Sequence, residues 1–274
     1  MTKLNTEQLY KHGSWPYLHD SMVPSVREKF YGPDNLNLFE RNLKYQPLDW
    51  IYRNKNIEYR FNKLGLRMSK DLDELKKDIL YVSGTSFSMG IGLAEEDRYS
   101  DILANKLSLD YINYSGPTFS IKLQVYTFFN YIQKYQIPKI CVFEYPILTG
   151  YTFLDKEHAL TFTGGSHYPR NYQKYIDAYD ILKETDYFRS EALVYSNILR
   201  QYCKNIGCKL IEISYNHNDE FAKENTVVID MDLIDRTNID QRYARDIIHR
   251  HDGISAHPGI GVHRITTEKI LEVV

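Results

Sequence analysis

Residues 79 to 93 read ILYVSGTSFSMGIGL. A short apolar run, Ile79 to Val82, ends at Gly84, and two serines follow in a glycine-spaced turn. The run is short, apolar and bounded by glycine, which predicts a buried strand. The segments downstream repeat the theme. Tyr99, Ile102, Leu103 and Leu107 have helical spacing within 97 to 107, and 109 to 114 is a second strand. A helix over 121 to 135 is stopped by Pro138, and a third strand follows at 139 to 145. Helices over 172 to 182 and 191 to 205 come next. Gly207 ends the second of them, 208 to 214 is a fourth strand and 226 to 230 a fifth. A last helix covers about 262 to 273. Buried strands alternating with helices predict an α/β three-layer domain with a mostly parallel sheet of about five strands.

Upstream of this domain, 1 to 77 has no such period. Pro16, Pro24, Pro33 and Pro47 punctuate it, while Trp15 and Trp50 supply apolar surface that a disordered tail lacks. We read 1 to 77 as an irregular N-terminal arm and 78 to 274 as the α/β domain. The arm is expected to pack on the core or on a neighbouring subunit, which leaves a homo-oligomer open.

Lysine and arginine number 34 against 36 acidic residues, a formal charge of −2. That balance offers no electrostatic footprint for nucleic acid, and none is expected as a partner. No apolar run approaches the ~20 residues of a membrane helix. The first twenty residues lack the apolar centre of a secretion signal. Cys141, Cys203 and Cys208 form no CxxC pair or disulfide framework, which suits a reducing compartment. A cytoplasmic protein is expected, in the host cytoplasm or the virion if the gene is viral. The 24 tyrosines read as codon bias, with an assembly role left open.

Sites in parallel sheets gather at the carboxyl ends of strands, where the GTSFSMG turn lies. Three readings of the turn compete. A phosphate loop needs G-x-x-x-x-G-K-[ST], but Ile91 stands where lysine should follow Gly90. A dinucleotide loop needs a third glycine where Glu95 stands. G-x-S-x-G fails because Ser88 lies two after Ser86. A serine hydroxyl beside exposed helix amides is the remaining chemistry, weighed against plain capping by Ser and Thr. Residues 252 to 264, DGISAHPGIGVHR, supply what a serine needs. His257 would act as base and Asp252 would orient it, in a loop that emerges on the same sheet edge. Asp246 is the alternative acid and Ser88 the alternative nucleophile. His249, His251, Asp252 and His257 are also candidate metal ligands by residue type, but without a cysteine partner no metal is expected.

Together these segments resemble the SGNH/GDSL hydrolase superfamily, over about 58 to 274. VSGTSFSMGIGL is similar to its G-D-S-x-x-x-G motif, with Thr85 in place of the aspartate and Ser86 as nucleophile. The stretch EEDRYSDILANKLSLDYINYSGPTFS resembles the following acidic turn, helix, strand and second motif. Asn113 matches the motif asparagine and Gly116 its oxyanion glycine. RFNKLGLR, at 60 to 67, resembles an N-x-x-G-[FL]-R lead-in, and HPGIGVHRITTEKI the histidine, proline and final helix. The resemblance implies a flavodoxin-like fold and a cofactor-free serine esterase acting on a small-molecule or glycan ester, acyl or acetyl. Its oxyanion hole would be the Ser86 and Gly116 amides. The third motif, G-x-N-D, is missing, and Glu144 or Tyr145 lies where its asparagine would point. A carboxylate there would oppose an oxyanion unless protonated or turned away. A non-catalytic binding or structural protein of the same fold is the alternative, and a nucleotide-binding flavodoxin-like domain a third.

Overall fold

The structure is a computed structural model that describes residues 25–28, 34–44, 46, 48–116, 119–145, 151–154, 159–162, 173–215, 226–229, 248–250, 253–255 and 257–274. Its centre is a parallel sheet of β3 (Ile79–Ser83), β4 (Asp110–Asn113), β5 (Ile140–Glu144), β8 (Lys209–Tyr215) and β9 (Thr226–Ile229), in the order β4-β3-β5-β8-β9. Counted within the sheet the order is 2-1-3-4-5, which is the flavodoxin-like winding. Chain direction across the sheet reverses between β3 and β5, so the switch point lies at the carboxyl ends of these two strands.

Every residue of β3 and of β5 is buried. Alternation still decides which layer each side chain enters, because successive side chains point to opposite faces. Leu80, Val82 and Val142 belong to one core with α3 (Tyr99–Leu107) and α7 (Ile260–Val273). Ile79, Tyr81, Cys141 and Phe143 belong to the other, with α4 (Ile121–Lys134) and α6 (Tyr187–Ile206). The sequence places all five strands and these helices to within a few residues; α5 (Gln173–Lys183) completes the set.

Much of the tyrosine content is core. Tyr81 stacks on Tyr114 at 5.5 Å and meets Phe128 and Tyr131 at 5.1 and 5.2 Å. Trp50, Tyr52, Ile57, Tyr59, Phe61, Leu66 and Met68 are buried in the same cluster as β3 and α4. Residues 50 to 68 are thus continuous with the core of the sheet domain. Three antiparallel two-stranded ribbons are additions that the sequence reading lacks. They join β1 (Ser25–Glu28) to β2 (Glu58–Phe61), β6 (Tyr151–Leu154) to β7 (Ala159–Phe162), and β10 (Ile248–Arg250) to β11 (Gly253–Ser255). Residues 36 to 42 form α1 (Leu36–Asn42). Among the described residues, no helix is long and apolar enough to cross a membrane.

Candidate active site

β3 runs into Gly84, and the chain then turns into a single helical turn, α2 (Ser86–Met89). Thr85 is its N-cap, and its hydroxyl accepts the Phe87 amide at 3.2 Å. Capping by threonine satisfies one of the amides a helix start leaves open. Ser86 is the first helical residue and is half-buried. Among the described residues, neither its hydroxyl nor its amide makes a hydrogen bond, while its carbonyl accepts from Gly90 at 3.0 Å.

Glu144, the last residue of β5, lies under this turn and is fully buried. It accepts the Thr85 amide at 3.1 Å and the Ser88 amide at 2.8 Å, and both the Thr85 and the Ser88 hydroxyls. Burial pushes its carboxyl above the usual range, and the four donors pull the other way. Two departures from the resembled motif therefore meet in space. The threonine standing for the motif aspartate donates to a carboxylate brought in by the neighbouring strand. The carboxylate expected to oppose an oxyanion is instead turned into the turn's interior. A Cβ on Gly84 would lie 2.4 Å from Ser88 Oγ and 2.5 Å from Glu144 Oε2, so only glycine lets the carboxylate approach. Tyr145 points elsewhere: its hydroxyl donates to Glu212, which also takes Arg200 Nε at 2.7 Å.

Ser88 has no exposed surface. Its hydroxyl is held between Glu144 and the Tyr99 hydroxyl, 2.5 Å away. That placement makes it part of the support of the turn. Gly116 departs from its expected role as well. Its amide donates to the Gly84 carbonyl at 3.1 Å, so in this structure it is occupied rather than aimed at an oxyanion. The requirement for glycine there comes from packing, since a Cβ would meet the Phe119 ring at 2.3 Å. Asn113 is buried and its amide bonds the Ser88 carbonyl at 2.8 Å and Ser100 Oγ at 3.2 Å, tying β4 to the same turn.

His257 comes from the far end of the chain, just before α7. Its ring meets the Phe87 ring edge-on, with centroids 5.8 Å apart. The fold thus brings His257 against the residue next to Ser86. Asp246, Asp252 and His251 lie outside the described residues, as does the side chain of His249. Deeper in, His263 is fully buried; its Nδ1 accepts the Tyr99 amide at 3.0 Å and its ring stacks on Tyr99 at 5.5 Å. Burial, with the nearby charges of Arg98 and Arg67, pushes it down to about 3, so it is neutral.

Two arginines that the sequence marked weakly or not at all brace the loop after α2. Arg67 closes the RFNKLGLR lead-in. The Asn62 side chain accepts the Leu64 and Leu66 amides at 3.0 Å each, which folds the lead-in into a turn. Arg67 then reaches the carbonyls of Met89 (3.0 Å), Gly90 and Leu93 (2.5 Å) while stacking on Tyr59 at 4.0 Å. Arg98 is fully buried too and donates to the Arg67 carbonyl at 2.7 Å and to Tyr111 Oη at 2.9 Å. A guanidinium's fork of donors suits a loop whose carbonyls have no helical partners. Arg98 carried no signal in the sequence.

No family model matches the chain, and no curated protein matches it. Solved structures similar to it include a lipolytic protein of the G-D-S-L family from Desulfitobacterium hafniense DCB-2. That one is 12% identical, with a TM-score of 0.42, over 72% of this chain and 99% of the other. A carbohydrate esterase with divergent catalytic and non-catalytic binding functions is 11% identical, with a TM-score of 0.43, over 73% and 69%. The psychrotrophic esterase EstA from Pseudoalteromonas sp. is 10% identical, with a TM-score of 0.42, over 72% and 96%. At these identities the likeness extends to the fold alone. What the chain does is therefore read from its own strand order and from the turn after β3.

Proposed function

We propose that this protein is a serine hydrolase, an esterase acting on an acyl or acetyl ester of a small molecule or glycan. The observation that carries the reading is the meeting of His257 with the Phe87 ring, beside a half-buried Ser86 at the switch point of the sheet. In this scheme His257 takes the Ser86 proton as the oxygen attacks the ester carbonyl. The proton then passes to the leaving alcohol, and a water molecule activated by His257 releases the acyl group. Asp252, or Asp246 in its place, holds the imidazole in the right tautomer and stabilises its charged form. The Ser86 amide is the donor for the oxyanion. Gly116 would join it only if its bond to Gly84 opened, and losing one such donor typically costs ~10²–10³ in rate. No cofactor enters the scheme.

The occupied Gly116 amide favours a second reading, a binding protein of the same fold without turnover. A fluorophosphonate probe and a panel of short acyl esters separate the two. Hydrolysis, with covalent labelling at Ser86, is expected of the enzyme. Ser86→Ala should abolish both while leaving the circular dichroism unchanged, and Ser88→Ala should keep labelling at Ser86. A wild-type protein that neither hydrolyses nor labels, or a fully active Ser86→Ala protein, sinks the esterase reading.

A further inference from the structure

Three cysteines that are far apart in the chain come together in the fold. Cys141 is the second residue of β5, Cys203 lies in the last turn of α6, and Cys208 immediately precedes β8. All three are buried, and their sulfurs lie within 4.8 Å of one another. Parallel pairing of β5 with β8 sets Cys141 opposite Leu210, two residues beyond Cys208, and the chain reversal at Gly207 carries Cys203 back over both. The Cys141 and Cys208 sulfurs are 2.9 Å apart.

Two chemistries suit clustered thiols, an ion or a covalent bond. Sulfurs held around one ion at ~2.3 Å each sit ~4 Å apart, whereas the 2.9 Å pair is closer than that and nearer the ~2.05 Å of a disulfide. Charge points the same way. Three thiolates around a monovalent or divalent ion leave net negative charge in an apolar core, and among the described residues no cationic side chain contributes to the field at Cys203 or Cys208. A disulfide is neutral and needs no such compensation.

We propose that the cluster is a redox modification site in which Cys141 and Cys208 close a disulfide, with Cys203 as the neighbouring thiol for exchange. Peroxide is the oxidant class that reaches a buried thiol most readily, being small and uncharged. The Cys208 sulfur attacks one peroxide oxygen; the O–O bond breaks, and the other oxygen leaves as water after taking a proton. This gives the Cys208 sulfenic acid. The Cys141 sulfur attacks that sulfur, the S–O bond breaks and a second water leaves. Two thiols are oxidised and one peroxide is reduced to two waters. Hydrogen bonds from the Cys141 and Cys203 thiols lower the Cys208 thiol, which favours it as the attacking group. Attack by Cys203 on the finished bond would form a transient link to Cys203 and free one thiol, with Cys141–Cys208 as the resting pair. The cluster lies at the amino ends of β5 and β8, the sheet edge opposite Ser86, so the proposal is independent of esterase activity.

The test is peptide mapping of the wild-type protein, reduced and then treated with hydrogen peroxide. After denaturation and alkylation, one cysteine in place of three is expected to react. The Cys141 and Cys208 peptides should be linked, with the intact mass lowered by ~2 Da. Dithiothreitol should restore all three thiols. Cys203→Ser should keep the link and Cys208→Ser should lose it. Three reactive thiols after oxidation would overturn the proposal, as would added oxygen at Cys208 in place of a link, or a link joining only Cys203 to either partner. Native mass spectrometry of the reduced protein offered zinc or copper(I) is a separate arm. Retention of one ion, with all three cysteines protected from alkylation, would make this a metal site and also overturn it.

Discussion

Glu144 is the group whose removal should cost most for its size. Truncation in Glu144→Ala strands the Thr85 and Ser88 amides, which it accepts at 3.1 and 2.8 Å, beneath a strand with no exposure. Each buried donor left without a partner costs about 1–3 kcal/mol, with Thr85 at the lower end because it is half-buried. The cavity left by the side chain adds about 1–2 kcal/mol. A loss of about 3–6 kcal/mol is therefore expected, a large fraction of a domain's stability. Glu144→Gln should behave differently. Its carbonyl oxygen keeps the two amides and the Ser88 hydroxyl, while its amide faces Thr85 Oγ1, whose proton turns away. That rearrangement should cost about 1 kcal/mol. The two proteins also separate by pH. Burial raises the Glu144 carboxyl in the folded state. Wild-type stability therefore falls as pH rises from the unfolded carboxyl's ~4.3 towards the higher folded value, while glutamine does not titrate. The advantage of wild type over Glu144→Gln should shrink as pH rises above the unfolded carboxyl's ~4.3. Urea denaturation reads all of this as a shift in midpoint at constant slope. A Glu144→Ala protein within 1 kcal/mol of wild type, or a Glu144→Gln protein as damaged as the alanine variant, would refute the view that this carboxylate holds the turn by its hydrogen bonds.

Two further outcomes follow from the same region. Gly84→Ala forces a Cβ to within 2.4–2.7 Å of Ser88 Oγ and of the Glu144 Oε2 and Cβ atoms. It should cost about 2–3 kcal/mol in chemical denaturation and, by displacing α2, lower whatever activity or labelling Ser86 supports. His263 is neutral and buried in the fold at about 3 but titrates near 6.5 when unfolded. The unfolded state thus gains a proton first as pH falls. Stability is complete above the unfolded value and is lost by up to about 1.4 kcal/mol per pH unit between ~6 and ~3. Urea midpoints across that window should show the slope, and His263→Leu should flatten it; an unchanged slope would show that other groups carry the acid sensitivity.

Several elements were legible because their signal is local. A short apolar run bounded by turn residues is too short for a buried helix and reads as a strand, so β3, β5 and β8 could be placed without knowing their neighbours. The Ser86 turn and the HPG loop were legible as motif-like segments. The three ribbons were not. Short two-stranded pairs such as 151–154 with 159–162 carry no apolar period long enough to stand out, and their pairing depends on what they pack against. Arg98 was silent for a different reason. A buried guanidinium is recognised by the carbonyls it finds, and those belong to segments remote in sequence.

From sequence alone came the layer order, the sheet edge at which chemistry could collect, and Ser86 and His257 as the pair to watch. These follow from periodicity and from residue types whose chemistry is intrinsic. Tertiary structure decided what surrounds them. It turned Glu144 inward onto Thr85 and Ser88, occupied the Gly116 amide with the Gly84 carbonyl, and set Cys141 against Cys208. The reason is geometric: each of these contacts crosses between neighbouring strands or the segments that adjoin them. Its distance is set by sheet register and by how closely backbones approach, which no single segment encodes.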